Sequence, residues 1–275
     1  MLAPRFPNPR RQLGSNEGIK PKPLVSIFYY MPVYQTQVEV KGDLRLAEEF
    51  IQDGYQFSPR PEGFSLVFSV DATSNEAAKK YSNAEVQLLM DCITFAKGQS
   101  LQYHIRQVTE IPGKPGSQVV TGQAFITATA HVVVTEGKAG IVPAMELAKQ
   151  VLSHGKAEVL GRVLRWHARG TTDTDSLDKF VDYWIALEVL ADSYKGDVEA
   201  YVCPKCKHVL NPRPVNGVLR AYLRFLGMKE AADRLSDFSD ERAKLFHEAS
   251  PKALEHLPEV LSILKTCIQK ELCIA

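Results

Sequence analysis

The sequence predicts an α+β protein, with an N-terminal mixed α/β half built on a mostly antiparallel sheet and an all-α C-terminal half. Short segments before residue 136 alternate apolar and polar positions, which is typical of half-buried strands. After Pro143 the apolar residues recur every three or four positions, which is typical of helices that bury one face. Hydrophobic residues make up 45% of the 275 residues and charged residues 24%, so the chain can bury a globular core.

The N-terminal half is predicted to contain a flexible basic tail at 1–23 and an α+β domain of unknown role at 24–140. The tail is rich in Pro, Arg and Asn and lacks the apolar centre of a secretory signal. Strands are predicted over 24–40, 64–70, 101–111 and 118–135. Helices are predicted over 44–52 and 82–96, and the second is expected to begin at Ser82, which forms a capping-box pattern with Glu85.

The C-terminal half, residues 141–275, is predicted to be entirely helical. Residues 145–169 form one helix or two, with Gly155 as the break and Gly170 as the stop. The next helix is expected over 176–194, with Thr174, Asp175 or Ser176 as its N-cap. Further helices are predicted over 216–226, 228–235, 239–248 and 258–272, the 239–248 helix being capped by Ser239.

Charge and cysteine content limit the setting in which the chain works. The net charge is +1, so the chain has no overall field that attracts nucleic acid, and any RNA contact must come from a local patch. Five scattered cysteines and the lack of a signal peptide predict a reducing, cytoplasmic location. No apolar run approaches the ~18 residues of a membrane helix, so no membrane contact is expected.

A carboxylate projects from an otherwise apolar helix in the segment 180–190. Phe180, Trp184 and Leu187 fall on one stripe, and Glu188 lies on the neighbouring face with Trp184, four positions before it. A buried carboxylate needs a cation or hydrogen-bond donors. Arg242 is one candidate partner for Glu188, and the alternative is that Glu188 lies at the edge of the stripe and reaches water.

Arg242 and His247 are the two residues whose side chains are best suited to carry out a chemical reaction. An arginine is always charged and binds phosphate in a forked geometry, and a histidine can exchange a proton near neutral pH. Five steps along a helix rotate a side chain by about 140° and advance it ~7.5 Å, so the two side chains do not share a face. Two such helices related by a two-fold axis could bring one Arg and one His together. The alternative is that both residues only cap the helix and form ion pairs.

The pattern Trp184-Ile185-Ala186-Leu187-Glu188-Val189-Leu190, followed by Arg242 and His247, resembles the HEPN superfamily, and particularly its Apea-like branch. Members combine a W-x-A-L-E-x-L helix with a later arginine that is followed, after four to six intervening residues, by a histidine. Trp166 and Arg169 also match that branch. The resemblance covers about residues 155–272 and implies a helical bundle.

The resemblance implies a metal-independent endoribonuclease that acts as a homodimer with a composite site. Arg242 would hold the scissile phosphate, His247 would transfer a proton, and Glu188 would support the site. Such proteins suit stress response, toxin systems or defence against phage. The N-terminal domain would then sense, recruit or regulate, and could bind a protein partner.

Cys203 and Cys206 form a Cys-x-x-Cys motif, which is one half of a tetrahedral zinc site. His208, Cys267, Cys273 or the same motif of a second chain could complete it. A structural zinc and two free thiols are both open interpretations, and no cofactor is expected for catalysis.

Two functional interpretations follow. The first is an RNA-cleaving HEPN protein, supported by Glu188, Arg242 and His247 together. The second is a catalytically inactive HEPN module that binds RNA, a nucleotide or a protein partner. Ala243 supports the second, because active members commonly carry a polar residue directly after the arginine.

Overall fold

An antiparallel sheet followed by helices gives the chain an α+β architecture in the part that the computed structural model describes. The described residues are 32–111, 133–194, 201–202, 209–210, 215–248 and 255–272, and side chains are described outside 201–216 and 239–248. Contacts divide the chain into Met1–Tyr30 and Met31–Ala275, and every described residue belongs to the second part. The predicted mostly antiparallel sheet is confirmed.

The strands come mostly from the N-terminal half. They are β1 (Val33–Gly42), β2 (Leu44–Leu46), β3 (Phe50–Gln52), β4 (Tyr55–Arg60), β5 (Gly63–Asp71), β6 (Leu101–Glu110), β7 (Val134–Glu136), β8 (Tyr201–Val202) and β9 (Val209–Leu210). The main sheet has the order β3-β4-β5-β1-β6, and every neighbouring pair in it is antiparallel. Along β1, Tyr34, Thr36, Val38 and Val40 are buried while intervening residues face outward, so the alternation in the sequence positions the core face.

The helix predicted over 44–52 is wrong, because this segment forms two short strands. β2 pairs in parallel with β7, and β3 pairs with β4 through a two-residue turn at Asp53-Gly54. Both turn residues have positive φ, 52° and 83°, which is the backbone of a type I′ hairpin. An Asp-Gly pair is a strong hairpin signal in a sequence, and it outweighs the weak helical pattern before it.

The helices are α1 (Asn75–Lys97), α2 (Lys138–Ser153), α3 (Ala157–Thr172), α4 (Ser176–Asp192), α5 (Val215–Phe225), α6 (Lys229–Glu248) and α7 (Leu257–Glu271). α1 begins seven residues before the predicted start, since Ser74 caps it and accepts a hydrogen bond from Ala77 N at 3.1 Å. Ser82 does not cap; its buried hydroxyl lies 2.6 Å from the Thr36 hydroxyl on β1 and joins the helix to the sheet.

Two other predicted helix boundaries also move. α3 continues through Gly170 to Thr172, because the missing side chain lets Tyr183 of α4 pack against the helix there. α6 is one helix where a short helix and a second one capped by Ser239 were predicted, and its buried residues Ala232, Leu235 and Phe238 lead without interruption to Ser239. Residues 154–156 do separate α2 from α3, so the two-helix alternative is confirmed.

The helices pack against one another and against the sheet half. α1 contacts β6 on one side and α2 and α3 on the other, so it lies across the predicted domain boundary near residue 140. α4 contacts α3, α5 and α7 and is buried along most of its length. The division of the chain into domains at 24–140 and 141–275 stays a prediction. The strands predicted before residue 32 and over 118–132 lie outside the described residues.

Candidate functional site

Glu188 is held by the tryptophan that precedes it by one helical turn. Asp175 caps α4, and its carboxylate accepts hydrogen bonds from Leu177 N at 2.7 Å and Asp178 N at 3.3 Å. Trp184 is fully buried, and its indole Nε1 donates to Glu188 Oε1 at 2.5 Å. A donor for this carboxylate was expected from the sequence, with Arg242 as one candidate. Trp184 is a donor that the four-residue spacing also indicates, because that spacing places the two side chains together.

Glu188 also lines a cavity of about 670 Å³ between α3, α4 and α5. Glu188 is half-buried and lies at the edge of the apolar stripe, where it borders this space. The other charged lining residues are Lys156, Glu158, Arg162 and Asp192. Its apolar wall is formed by Ala157, Val159, Ile185, Val189, Ala191 and Val218. A volume of this size and mixed lining suit a small organic group or one unit of a polymer.

One end of the cavity is fixed by a polar network that joins the start of α3 to the end of α7. Lys156 forms an ion pair with Glu271, and the buried Tyr222 hydroxyl of α5 donates to Glu271 at 2.8 Å. Burial alone would raise the pKa of Glu271, but the hydrogen bonds from Lys156 and Tyr222 outweigh it and the pKa lies below its usual value. Glu271 is therefore a carboxylate, and it ties the start of α3 and the middle of α5, which both border the cavity, to the end of α7.

Arg169 and Trp166 lie next to a buried acid on the α3–α4 interface. Arg169 Nε is 3.2 Å from Asp182 Oδ2, and its guanidinium carbon is 5.2 Å from the centre of the Trp166 ring. Burial raises the pKa of Asp182 to about 6, against the opposing attraction of the Arg169 charge. The sequence pattern singled out Trp166 and Arg169, and in the structure the Arg169 guanidinium lies over the Trp166 ring.

His167 points the other way from its neighbours and is part of the core. It is 1% exposed and packs against the rings of Phe95 and Tyr183, with centroids 5.1 and 5.6 Å away. Neither ring nitrogen has a hydrogen-bond partner among the described residues. Burial, helped by the Lys265 charge, lowers the pKa of His167 to about 3, so the ring is neutral at pH 7 and is not positioned for acid–base chemistry with a solvent-borne substrate.

Arg242 and His247 both belong to α6, but their side chains lie outside the described residues. The pairing of Glu188 with Arg242 therefore stays a prediction. α6 is anchored before that point by ion pairs from Arg224 to Asp233 and from Arg234 to Glu259, at 3.2 and 2.5 Å. The backbone is helical through both positions, so the predicted angular separation of the two residues applies.

Cys203, Cys206 and His208 lie outside the described residues, between the paired strands β8 and β9. In the part of the chain that the structure describes, no three His, Cys, Asp or Glu side chains are grouped as metal ligands. Cys267, one of the residues considered for completing a zinc site, is fully buried with its Sγ 3.8 Å from Met228 Sδ. Burial raises the pKa of this thiol to about 12, so the free thiol stays protonated within the core at neutral pH.

Two further observations complete the description. Among the described residues, no helix has the length and apolar character needed to cross a bilayer. Comparison of the chain with protein-family models, with curated proteins and with solved structures found no match.

Proposed function

We propose that the chain is a metal-independent endoribonuclease of HEPN type that acts as a homodimer. In this proposal Arg242 binds the scissile phosphate and stabilises its developing charge, while His247 takes or donates a proton. Attack of the RNA 2′-oxygen on phosphorus breaks the bond to the 5′-oxygen. The products are a 2′,3′-cyclic phosphate and a 5′-hydroxyl, so neither a metal nor water takes part in the cleavage step.

One observation supports this proposal above the others: α6 is uninterrupted from Lys229 to Glu248, with Arg242 and His247 on it. On such a helix the two side chains diverge by about 140°, so a single chain presents them poorly to one phosphate. A two-fold arrangement that pairs Arg242 of one chain with His247 of the other removes this difficulty. Glu188, hydrogen-bonded by Trp184 and lining a cavity, is the proposed supporting residue.

The direct test is cleavage of end-labelled single-stranded RNA in EDTA. Wild type is expected to cut, His247→Ala to be slower by about 10²–10⁴-fold, and Arg242→Ala by about 10²–10³-fold. A 2′-O-methyl copy of the same RNA should stay intact, because it lacks the attacking hydroxyl. Lys229→Ala and Ser236→Ala are matched controls, since both residues are exposed on α6 and should leave the rate unchanged.

Circular dichroism in the same buffer checks that EDTA and the substitutions leave the chain folded. Cleavage that persists in His247→Ala, or products that carry a 3′-hydroxyl, would remove the proposal.

A catalytically inactive HEPN module is the second candidate, and Ala243 is the observation that favours it. Active members commonly have a polar residue directly after the arginine, where this chain has alanine. Such a module would bind RNA, a nucleotide or a protein partner without cutting. RNA that is bound but uncut by the folded wild type would select this candidate.

We also propose a structural zinc held by Cys203 and Cys206, with His208 as a further ligand. Support comes from β8 and β9, which pair Tyr201 with Leu210 and Val202 with Val209 and so bring the two ends of the Cys-x-x-Cys segment together. Elemental mass spectrometry of the purified chain should find close to one zinc per chain, or one per two chains if partners share it. A zinc content near zero would end this part of the proposal.

A further inference from the structure

Three arginines line the exposed face of α3. Arg162, Arg165 and Arg169 are separated by three, four and seven residues, so helix geometry holds them within about 60° of one another and spreads them over about 10 Å. All three are exposed. We call this set the arginine stripe, and it concentrates positive charge locally on a chain whose net charge is only +1.

The guanidinium at one end of the arginine stripe is held in a fixed orientation. Arg169 Nε lies 3.2 Å from the buried carboxylate of Asp182, and the group stacks over Trp166 at 5.2 Å. The side chain is nevertheless 63% exposed. Because the ion pair uses Nε, the terminal nitrogens can bind a phosphate without the ordering that a mobile arginine requires.

The charges of buried acids explain the positions of only two of the three arginines. Arg169 offsets Asp182, and the charge of Arg165 acts on the buried Asp91. Arg162 lies four residues after Glu158 and lines the same cavity as Glu158, Glu188 and Asp192, so nearby acids balance part of its charge. Arg162 and Arg165 nevertheless remain exposed, so their guanidinium groups are available to an anionic partner on this face of α3.

We infer that the arginine stripe binds the phosphate backbone of single-stranded RNA. Cations at regular spacing along an exposed helix face suit the successive phosphates of a single strand. Arg162 also lines the cavity that contains Glu188, so a strand on the stripe is directed toward the candidate site. The choice of RNA as occupant rests on the proposed function, but binding does not require cleavage.

The test measures binding where cleavage cannot occur. A fluorescein-labelled 2′-O-methyl oligoribonucleotide is titrated with the full chain, and its anisotropy is followed at several salt concentrations. Arg162→Gln combined with Arg165→Gln should raise Kd about tenfold at about 100 mM salt and reduce the slope of log K against log salt by about 1.4. Lys80→Gln combined with Lys229→Gln removes the same charge from exposed positions on α1 and α6 and should change both quantities little.

A second variant addresses Arg169 without leaving a buried charge unpaired. Arg169→Gln combined with Asp182→Asn removes both charges and should also weaken binding. Unchanged binding by the Arg162/Arg165 variant, or equal weakening by the Lys80/Lys229 control, would overturn the inference. So would tighter binding of wild type to a polyglutamate peptide or to phosphatidylserine vesicles than to the oligoribonucleotide. Binding that depends on the stripe, with no cleavage of unmodified RNA, would keep the inference and remove only the nuclease proposal.

Discussion

His167 shows how a single buried side chain can make stability depend on pH. Its pKa falls from 6.5 in the unfolded chain to about 3 in the folded one, because burial excludes the charged form. Between these values the unfolded chain binds more protons than the folded chain, so folding is opposed increasingly as the pH falls through this window. The cost reaches about 1.4 kcal/mol for each pH unit well below 6.5.

We predict that His167→Leu removes the part of the pH dependence that opposes folding at acid pH. Leucine has no proton to bind, so the change in the free energy of unfolding from pH 7 to pH 5, measured by urea denaturation, should be more favourable to folding by roughly 2 kcal/mol in the variant than in wild type. The quantity to compare is the pH dependence of the free energy of unfolding in His167→Leu and in wild type. Burial raises the pKa of Asp91 to about 7 and of Asp182 to about 6, and these two groups stabilise the folded chain at acid pH in both proteins.

His256→Gln is the control for this measurement. His256 is a half-buried histidine before α7, and its replacement leaves the buried His167 ring in place, so the part of the pH dependence that His167 causes should persist. An equal pH dependence in His167→Leu and wild type would show that the ring is not neutral in the core.

At the residue scale, the sequence predicts some contacts of the candidate site and not others. The spacing in Trp184–Glu188 predicts that the two side chains meet, and the structure contains their hydrogen bond. The ion pair of Arg169 with Asp182 joins two helices, and nothing local in the sequence indicates that Asp182 is buried. Its pKa depends on the packing of α3 against α4, which residues near it in the chain do not specify.

At the scale of elements, α3 contains two glycines with opposite roles. A Cβ added at Gly170 would lie 2.7 Å from Tyr183 Cε1, and that ring is held by His167 and by a contact with the Thr171 hydroxyl. We predict that Gly170→Ala lowers the free energy of unfolding by about 1–3 kcal/mol, since α3 and α4 must separate to accommodate the methyl group. Chemical denaturation measures the change.

Gly161 in the same helix provides the matched control. No described atom lies within 4 Å of a Cβ added there, so Gly161→Ala should stabilise the chain by about 0.5–1 kcal/mol through the higher helix propensity of alanine. If both substitutions stabilise, the close approach of α3 and α4 at Gly170 is contradicted.

The helix predicted over 44–52 failed because strand pairing decides this segment. Its helical pattern is weak, and β2 pairs with β7, which is about 90 residues later in the chain, while β3 pairs with β4 across the next turn. Strand pairing of this kind outweighs local propensity, because hydrogen bonds to a neighbouring strand satisfy the backbone equally well. The Asp53-Gly54 turn was the one local signal that could have corrected this prediction.

At the scale of the whole molecule, the composite site predicts complementation between inactive variants. Arg242→Ala and His247→Ala chains should each be inactive alone. After subunit exchange, half of the dimers are mixed, and each mixed dimer regains one of two sites, so activity should return to about one quarter of the wild-type value. RNA cleavage before and after exchange measures this.

The mixing experiment separates two arrangements that give the same result for single variants. If one chain supplied both Arg242 and His247 to a site, no mixed dimer would contain an intact pair, and activity would stay at the level of the separate variants. Mixing wild type with either variant is the baseline control, because exchange leaves the number of intact Arg–His pairs at half of the wild-type value in both arrangements, so activity should not change.

The sequence by itself determined the α+β class, the alternating strand β1, the stripe on α4, and the spacing that brings Trp184 next to Glu188. These features depend on residues within one or two turns of each other, so periodicity reveals them. Only the tertiary structure decided the pairing of β2 and β3, the cavity beside Glu188, the neutral ring of His167 and the fixed guanidinium of Arg169. Burial and ion pairing are set by side chains that are distant in sequence and adjacent in space, and a linear pattern does not encode that adjacency.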